Sequence, residues 1–264
     1  MHAFQTEETA RNKPAAAVGG LESAHYWETG FKHMASSSNL HERKQRELDQ
    51  RRKDILKVVR KLVLRGGARE LTMRKVAEEA GFSTTVVYAL FGDKATLIAQ
   101  AMDEDLLKLN KLMQQAAAEG GNALERMRRV ARAYVSYGLK HPVHYALVFM
   151  EQRPAAPIET STLEFGNPDK DPYCFVYGMA AELVAEGFIQ ADEDALHLVT
   201  QLLWEGLHGM TSLRIATGDD PWIPRIEAGP HLELLVDVLL LGVLQRFPGP
   251  KTASGVKSIA ATAS

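Results

Sequence analysis

A chain of 264 residues with 45% apolar and 24% charged side chains has the balance of a globular protein, long enough for one large domain or two ordinary ones. A single cysteine, Cys174, excludes a disulfide framework and fits a reducing cytoplasm. There is no run of about 18 apolar residues and no basic–apolar–small N-terminal pattern, so neither a membrane span nor a secretory signal is expected. The net charge of −2 conceals an asymmetry: residues 41–100 hold 14 Lys/Arg against 8 Asp/Glu, and residues 101–264 hold 14 against 21. The basic segment points to a polyanionic partner for that part of the chain alone.

Residues 1–40 are rich in Ala, Ser, Gly, Thr and Glu with no sustained period, and read as a disordered leader. Met34 within it is a candidate alternative start or a junction. The charge run Arg43–Arg52 reads as a solvated helix extension, with an arm reaching a minor groove as the other reading. Ile55, Val59, Leu62 and Val63 then fall at i, i+4, i+7 and i+8, one helical stripe, which Gly66-Gly67 end. Thr72 stands where a helix N-cap belongs, before "MRKVAEEAG" with Met73, Val76, Ala77 and Ala80 as its inner face. Gly81 stops that helix, Ser83 is placed to cap "TTVVYAL", Gly92 breaks it, and Asp93 can cap a fourth helix from Lys94. Further helices are predicted over 94–118, 122–140, 142–151, 170–187, 192–217 and 231–246. No alternating run bounded by hairpin turns is present, so the expected fold is all-α. Residues 248–264 read as a disordered tail. Cys174, among apolar neighbours in "PYCFVYG", reads as a buried structural thiol in preference to a reactive one.

Two short helices joined by a tight glycine turn, after a longer amphipathic helix, make a three-helix helix-turn-helix module over residues 41–102. Its last helix is sized to enter the major groove, about 12 Å wide, N-terminus first. Thr84 and Thr85 can bond phosphate oxygens or base edges, Val86 can meet a thymine methyl, and the Tyr88 phenol can reach a phosphate. Val87, Leu90 and Phe91 look like core anchors, and Lys94 is placed beside the DNA backbone. Plainer readings stand beside these: Thr72 as a cap, Arg74 as a surface charge, Tyr88 as a packing residue.

The stretch "ILKVVRKLVLRGGARELTMRKVAEEAGFSTTVVYALFGDKATLIAQAM" resembles the DNA-binding domain of the TetR/AcrR family of transcriptional regulators, over roughly residues 51–102. The pattern T-x-R-x-[VI]-A-x-x-A-G stands at Thr72–Gly81, and S-x-x-x-[LV]-Y-x-x-F-x-x-K at Ser83–Lys94. The resemblance implies phosphate contacts at Thr72, Tyr88 and Lys94, and groove contacts at Arg74, Thr84, Thr85, Val86 and Ala89. The family often carries His, Tyr or Arg at the position of Ala89, and Gly or Ala at that of Thr85. Readout here is therefore expected to lean on Thr84, Thr85 and Val86.

Farther along, "LLWEGLHGMTSL" holds W-x-x-x-H-G, which resembles the tryptophan-histidine-glycine type of C-terminal domain in part of that family. The resemblance implies a helical ligand-binding and dimerisation domain over residues 103–247. It places a pocket within helices 122–216 and a homodimer interface through about 192–217 and 231–246. Independently of it, "LELLVDVLLLGVL" is apolar on nearly every side, and Gly206 and Gly209 would let helices approach closely. Candidate pocket residues are Tyr134, Tyr137, Tyr145, Phe149, Phe175, Trp204 and His208, each of which also reads as core. His141 and His144 stand at i, i+3 with no third ligand near in sequence, so no metal is expected, nor any cofactor. The expected function is a cytoplasmic, dimeric regulator that binds a double-stranded DNA operator, a repressor released by a small-molecule effector. The alternative is an all-helical small-molecule-binding protein or enzyme using the C-terminal cavity. Against catalysis, no G-x-S-x-G, phosphate loop or G-x-G-x-x-G occurs, and Asp192-Glu193-Asp194 read as a helix N-terminal cluster.

Overall fold

The computed structural model describes residues 22–218 and 220–252, with the backbone alone for 22–39, 64 and 69. The chain divides into two units, residues 1–52 and 53–264. In the first, residues 40–51 are exposed helix, laced by pairs four apart: Arg43–Glu47 at 3.1 Å, Arg46–Glu42 at 3.0 Å and Gln45–Asp49 at 3.0 Å. Such exposed pairs add only a few tenths of a kcal/mol each.

Among the described residues nine α-helices follow one another: α1 (Glu22–Glu70), α2 (Met73–Ala80), α3 (Thr84–Phe91), α4 (Lys94–Ala117), α5 (Ala123–Lys140), α6 (Pro142–Phe149), α7 (Pro172–Ala185), α8 (Glu193–Ala216) and α9 (Ala228–Arg246), with a short 3-10 turn at Ile158–Thr160. The helices predicted from Thr72 onward are all present, with ends shifted by a turn or less, whereas α1 begins at Glu22, within the stretch expected to be a disordered leader. Gly67 interrupts α1 with φ 72° and ψ 168°, a conformation open to a residue without Cβ, so the expected glycine break is real although three more residues follow it. Residues 1–21 of the expected leader lie outside the described residues; from Glu22 onward the backbone is helical. Of the expected tail, 253–264 lie outside the described residues. Residues 248–252, in contrast, are fixed: the Gly249 and Lys251 N–H groups donate to Phe188 and Gly187 carbonyls at 3.2 and 2.9 Å, and Thr252 Oγ1 to Phe188 O at 2.7 Å. Glycine permits this approach, because a Cβ at 249 would lie 2.6 Å from the Gly187 carbonyl oxygen.

Two hydrophobic cores form within the second unit. The first packs Ile55 and Val59 of α1, Val76 of α2, Val87 and Phe91 of α3 and Leu97 of α4. The second joins α5, α7, α8 and α9 through residues such as Val130, Leu183, Val199 and Leu240. α4 runs through both, and α6 places Leu147 in the first while Tyr145 lies in the second. α9 is long and apolar enough to cross a membrane by composition alone, yet Leu232, Val236, Leu240 and Val243 are buried in the second core. Ion pairs clamp its polar flank to α5: Arg132 forks onto Glu233 at 2.6 and 2.7 Å, and Arg128 pairs with Asp237. The connection between α6 and α7 is strapped along α4 by side chains on one face: Gln100 donates to Thr160 O, and Asn110 and Gln114 to Pro168 O, each at 2.9 Å.

Candidate nucleic-acid interface and ligand cavity

Local chemistry fixes the two short helices. The Thr72 hydroxyl accepts from the Lys75 N–H at 3.1 Å and Ser83 from Val86 N–H at 3.3 Å, so each caps its helix. Gly81, at φ 72° and ψ 26°, supplies the left-handed turn between them. Val87 and Phe91 are buried, while Thr84, Thr85, Tyr88 and Ala89 are exposed together, as the i, i+1, i+4, i+5 spacing dictates. Val86 is half-buried at the edge of that face, and Tyr88 is 52% exposed. Arg74 is exposed on α2 and bonded to Glu78 at 2.8 Å, so it is held out along its own helix. Lys94 begins α4 one residue after its cap, Asp93, which accepts from Thr96 N–H at 2.7 Å. Six of the eight residues named from the sequence are exposed, and Val86 and Lys94 are half-buried.

The second core borders a cavity of about 350 Å³, at the lower end of the size range for small-molecule pockets. Its wall is mostly aliphatic, with Leu109, Met113, Met127, Val130, Leu203 and Leu240 among its residues. Of the seven predicted pocket residues, Tyr134, Phe149 and Trp204 line it; Tyr137, Tyr145, Phe175 and His208 do not. Tyr145 is fully buried one layer behind the wall, Tyr137 packs against His141, and Phe175 packs against the core. The aromatic residues were the conspicuous choice in the sequence, but the wall is built mainly from side chains that any helix core would use.

Tyr145 and His208 still act on the wall, through a chain of hydrogen bonds. Trp204 Nε1 donates to Tyr134 OH at 3.1 Å, Tyr134 and Tyr145 hydroxyls bond at 2.8 Å, and Tyr145 OH meets His208 Nδ1 at 2.7 Å. An indole can only donate, so the Tyr134 oxygen accepts from Trp204 and shares a second hydrogen bond with Tyr145, which in turn bonds a ring nitrogen of His208. Burial lowers the His208 pKa and favours its neutral ring. Burial, with the neighbouring Tyr145, also raises Tyr134 far above its ordinary value, and burial pushes Tyr145 up to about 12.

Two buried carboxylates on α4, neither singled out in the sequence, complete the picture. Asp105 is fully buried and accepts from Arg60 Nε of α1 at 2.9 Å, with His144 Nδ1 of α6 also at 2.9 Å. Burial raises its pKa, but the His144 hydrogen bond and the Arg60 charge outweigh burial and hold it low. Asp103, also fully buried, pairs with Arg153 and accepts from Ser161 Oγ at 2.8 Å and Thr162 N–H at 3.0 Å. The available sequence signal was position: Ile98, Met102, Asp105 and Leu109 fall on one helical stripe, and a charge there must be paired. His144, weighed as half of a metal pair, is instead taken up by Asp105.

The chain matches the family model described as bacterial regulatory proteins, tetR family, over residues 55–101, and the tetracyclin repressor-like C-terminal domain over residues 127–239. No curated protein matches it significantly in sequence. Similar solved structures include a TetR family transcription regulator from Marinobacter aquaeolei VT8, at 16% identity and TM-score 0.59, covering 76% of this chain and 98% of that one. A TetR-like transcriptional regulator from Rhodococcus sp. RHA1 matches at 18% identity and TM-score 0.52, over 73% of this chain and 94% of that one. The ketosteroid transcriptional regulator KstR2 of Mycobacterium tuberculosis matches at 19% identity and TM-score 0.51, over 73% and 94%. At these identities the likeness is one of fold.

Proposed function

Since this chain belongs to the tetR family of bacterial transcriptional regulators, we propose that it is a homodimeric repressor that binds a double-stranded operator through α2 and α3 and is released when a small molecule fills its cavity. The observation that carries this reading is the double allegiance of α6. Val148 and Phe149 line the cavity, Leu147 is buried in the core that holds α3, and His144 bonds the carboxylate that anchors α1. A molecule that shifts α6 therefore acts on the elements that aim the recognition helix. That is a differential contact of the kind a ligand needs in order to shift a population.

The exposed apolar positions of α8 and α9 support a dimer. Leu198, Leu202 and Leu213 of α8 are 58%, 43% and 63% exposed, and Leu234 and Val238 of α9 are 63% and 58% exposed. They form stripes at helical spacing, and Gly209 and Gly242 meet nothing within 4 Å, so both helices offer open, side-chain-free ground for a partner. Gly206, expected to serve the same purpose, is already used within the chain, since a Cβ there would lie 2.7 Å from Leu239 Cδ1. A twofold pairing of these stripes would carry two recognition helices for two half-sites.

A mobility-shift titration on DNA from the chain's own and neighbouring promoters tests the reading. Sequence-dependent retardation that a cavity ligand abolishes is expected. Retardation of all DNA alike, with a steep salt dependence and no ligand response, would count against it.

A further inference from the structure

We propose that the cavity selects an uncharged, hydrocarbon-rich molecule, and that the pairing of Arg153 with the fully buried Asp103 turns carboxylates away. This rests on the reading of the cavity as the effector site and names the effector's chemical class.

Six residues bring polar side-chain groups to the wall: Tyr134, Arg153, Asp171, Tyr173, Thr200 and Trp204. Each is already engaged. Trp204 donates to Tyr134, whose hydroxyl also bonds that of Tyr145. Tyr173 OH bonds His197 Nδ1 at 2.8 Å, and Thr200 Oγ1 donates to Leu196 O at 2.8 Å. Asp171 caps α7 and accepts three backbone N–H groups, those of Gly166, Tyr173 and Cys174, at 3.0, 3.0 and 3.1 Å. Arg153, the one cation on the wall, gives a guanidinium N–H to Asp103.

An anionic ligand would meet Arg153, whose charge is already balanced by the fully buried Asp103 carboxylate, so a second carboxylate there would meet like-charge repulsion with no uncompensated cation to offset it. A cationic ligand would meet only Asp171, whose oxygens already hold three N–H groups. An uncharged apolar ligand disturbs none of these bonds. Its affinity comes from apolar surface removed from water, which is non-directional and needs no unspent donor. Size sets the other limit. An engineered apolar cavity of about 150 Å³ takes up benzene; about 350 Å³ leaves room for a two-ring molecule or a medium-length alkyl chain.

Calorimetric titration of the full chain at pH 8 with octan-1-ol, octanoate and octylammonium tests this, because the three share one alkyl chain and differ in charge. The alcohol is expected to bind at least about tenfold more tightly than either ion, equal to about 1.4 kcal/mol. An ion that binds as well as the alcohol overturns the proposal. Asp103→Asn frees Arg153 and is expected to tighten octanoate by about tenfold while leaving octan-1-ol unchanged; no gain for octanoate in the folded variant refutes the role given to the ion pair. Val176→Phe enlarges a side chain on the wall and is expected to abolish octan-1-ol binding, whereas undiminished binding would put the alcohol elsewhere and overturn the proposal. Mobility shifts separate this inference from the functional reading. Selective alcohol binding that leaves DNA retardation untouched supports the ligand class and counts against ligand-controlled release. Release by an ionised compound that occupies the cavity supports regulation and refutes the ligand class.

Discussion

Replacing Arg60 by methionine tests whether α1 is tied to the rest of the fold by a buried charge. Arg60 is 7% exposed and Asp105 fully buried. The guanidinium reaches Asp105 at 2.9 Å and Glu104 at 2.5 Å, and the Asp105 carboxylate retains His144 at 2.9 Å and Lys108 at 3.5 Å. Removing one partner of a buried pair costs about 3–5 kcal/mol, and the lower end applies here because Lys108 stays near the carboxylate and His144 keeps its hydrogen bond to it. Methionine keeps the apolar stem, so little of the loss is packing. In urea, with m of about 3 kcal/mol/M, a loss of about 3 kcal/mol lowers the unfolding midpoint by about 1 M. The double variant Arg60→Met, Asp105→Leu removes the uncompensated charge and is expected to recover to within about 1 kcal/mol of the native chain. The pH dependence has a definite sign. In the native chain the Asp105 pKa is depressed, so its contribution is complete above the unfolded value near 3.9 and is lost as pH falls through the lower folded value. Without Arg60, burial is less opposed and the carboxyl takes up its proton at higher pH, so the gap between variant and native narrows as the solution is acidified toward pH 4. A loss below about 1 kcal/mol at pH 7, the size of an exposed pair, would refute this account of α1.

Three further outcomes are expected. Tyr88→Phe and Lys94→Ala should weaken binding to all DNA sequences alike, Lys94→Ala lowering the salt slope by about 1, whereas Thr85→Ala and Val86→Ala should change which operator is preferred; mobility shifts on a randomised operator decide, and like behaviour of both pairs would refute the division of roles along α3. Gly138→Ala places a methyl 2.4 Å from Thr211 Cγ2 and 2.8 Å from Tyr145 Cδ2, an overpacking expected to cost about 1–3 kcal/mol in thermal unfolding; an unchanged midpoint would show that α5, α6 and α8 are less tightly packed than they look. Leu234→Lys changes a side chain 63% exposed in the monomer, so it should spare the fold and convert a dimer to a monomer in sedimentation velocity. Sedimentation unchanged from that of the native chain would remove α9 from the proposed interface.

What was legible in the sequence is what short-range chemistry specifies. Thr72, Ser83 and Asp93 each accept the N–H three residues on, because a short polar side chain before a periodic segment has that donor within reach whatever the rest of the chain does. The exposed face of α3 followed from the same logic, since Val87 and Phe91 fix the buried side and leave 84, 85, 88 and 89 opposite. The cavity wall did not follow. Met127, Val130, Ala131 and Tyr134 line it from one stripe of α5, while Tyr137, three residues beyond Tyr134, sits behind it. Only the tilt of α6 and α8 against α5 decides where the stripe stops facing open space. The Asp103–Arg153 pair joins residues fifty apart, and no local period records such a partnership.

The energetics of release bear on why two subunits would be needed. Hydrophobic uptake has no preferred direction, so a molecule in this cavity can act on DNA binding only by displacing a wall element that also belongs to the first core. α6 meets that condition through Val148, Phe149 and Leu147. Coupling between sites in one protein is typically about 1–3 kcal/mol, short of the roughly 5.5 kcal/mol that moves a population from 1:99 to 99:1. Two cavities acting on one operator-bound dimer supply about 2–6 kcal/mol together, which reaches that mark only near its upper end. If the proposed assembly is correct, release should therefore depend on occupation of both cavities and rise more steeply than a single-site curve. A heterodimer with one cavity blocked by Val176→Phe should remain largely on its operator at ligand concentrations that free the native dimer.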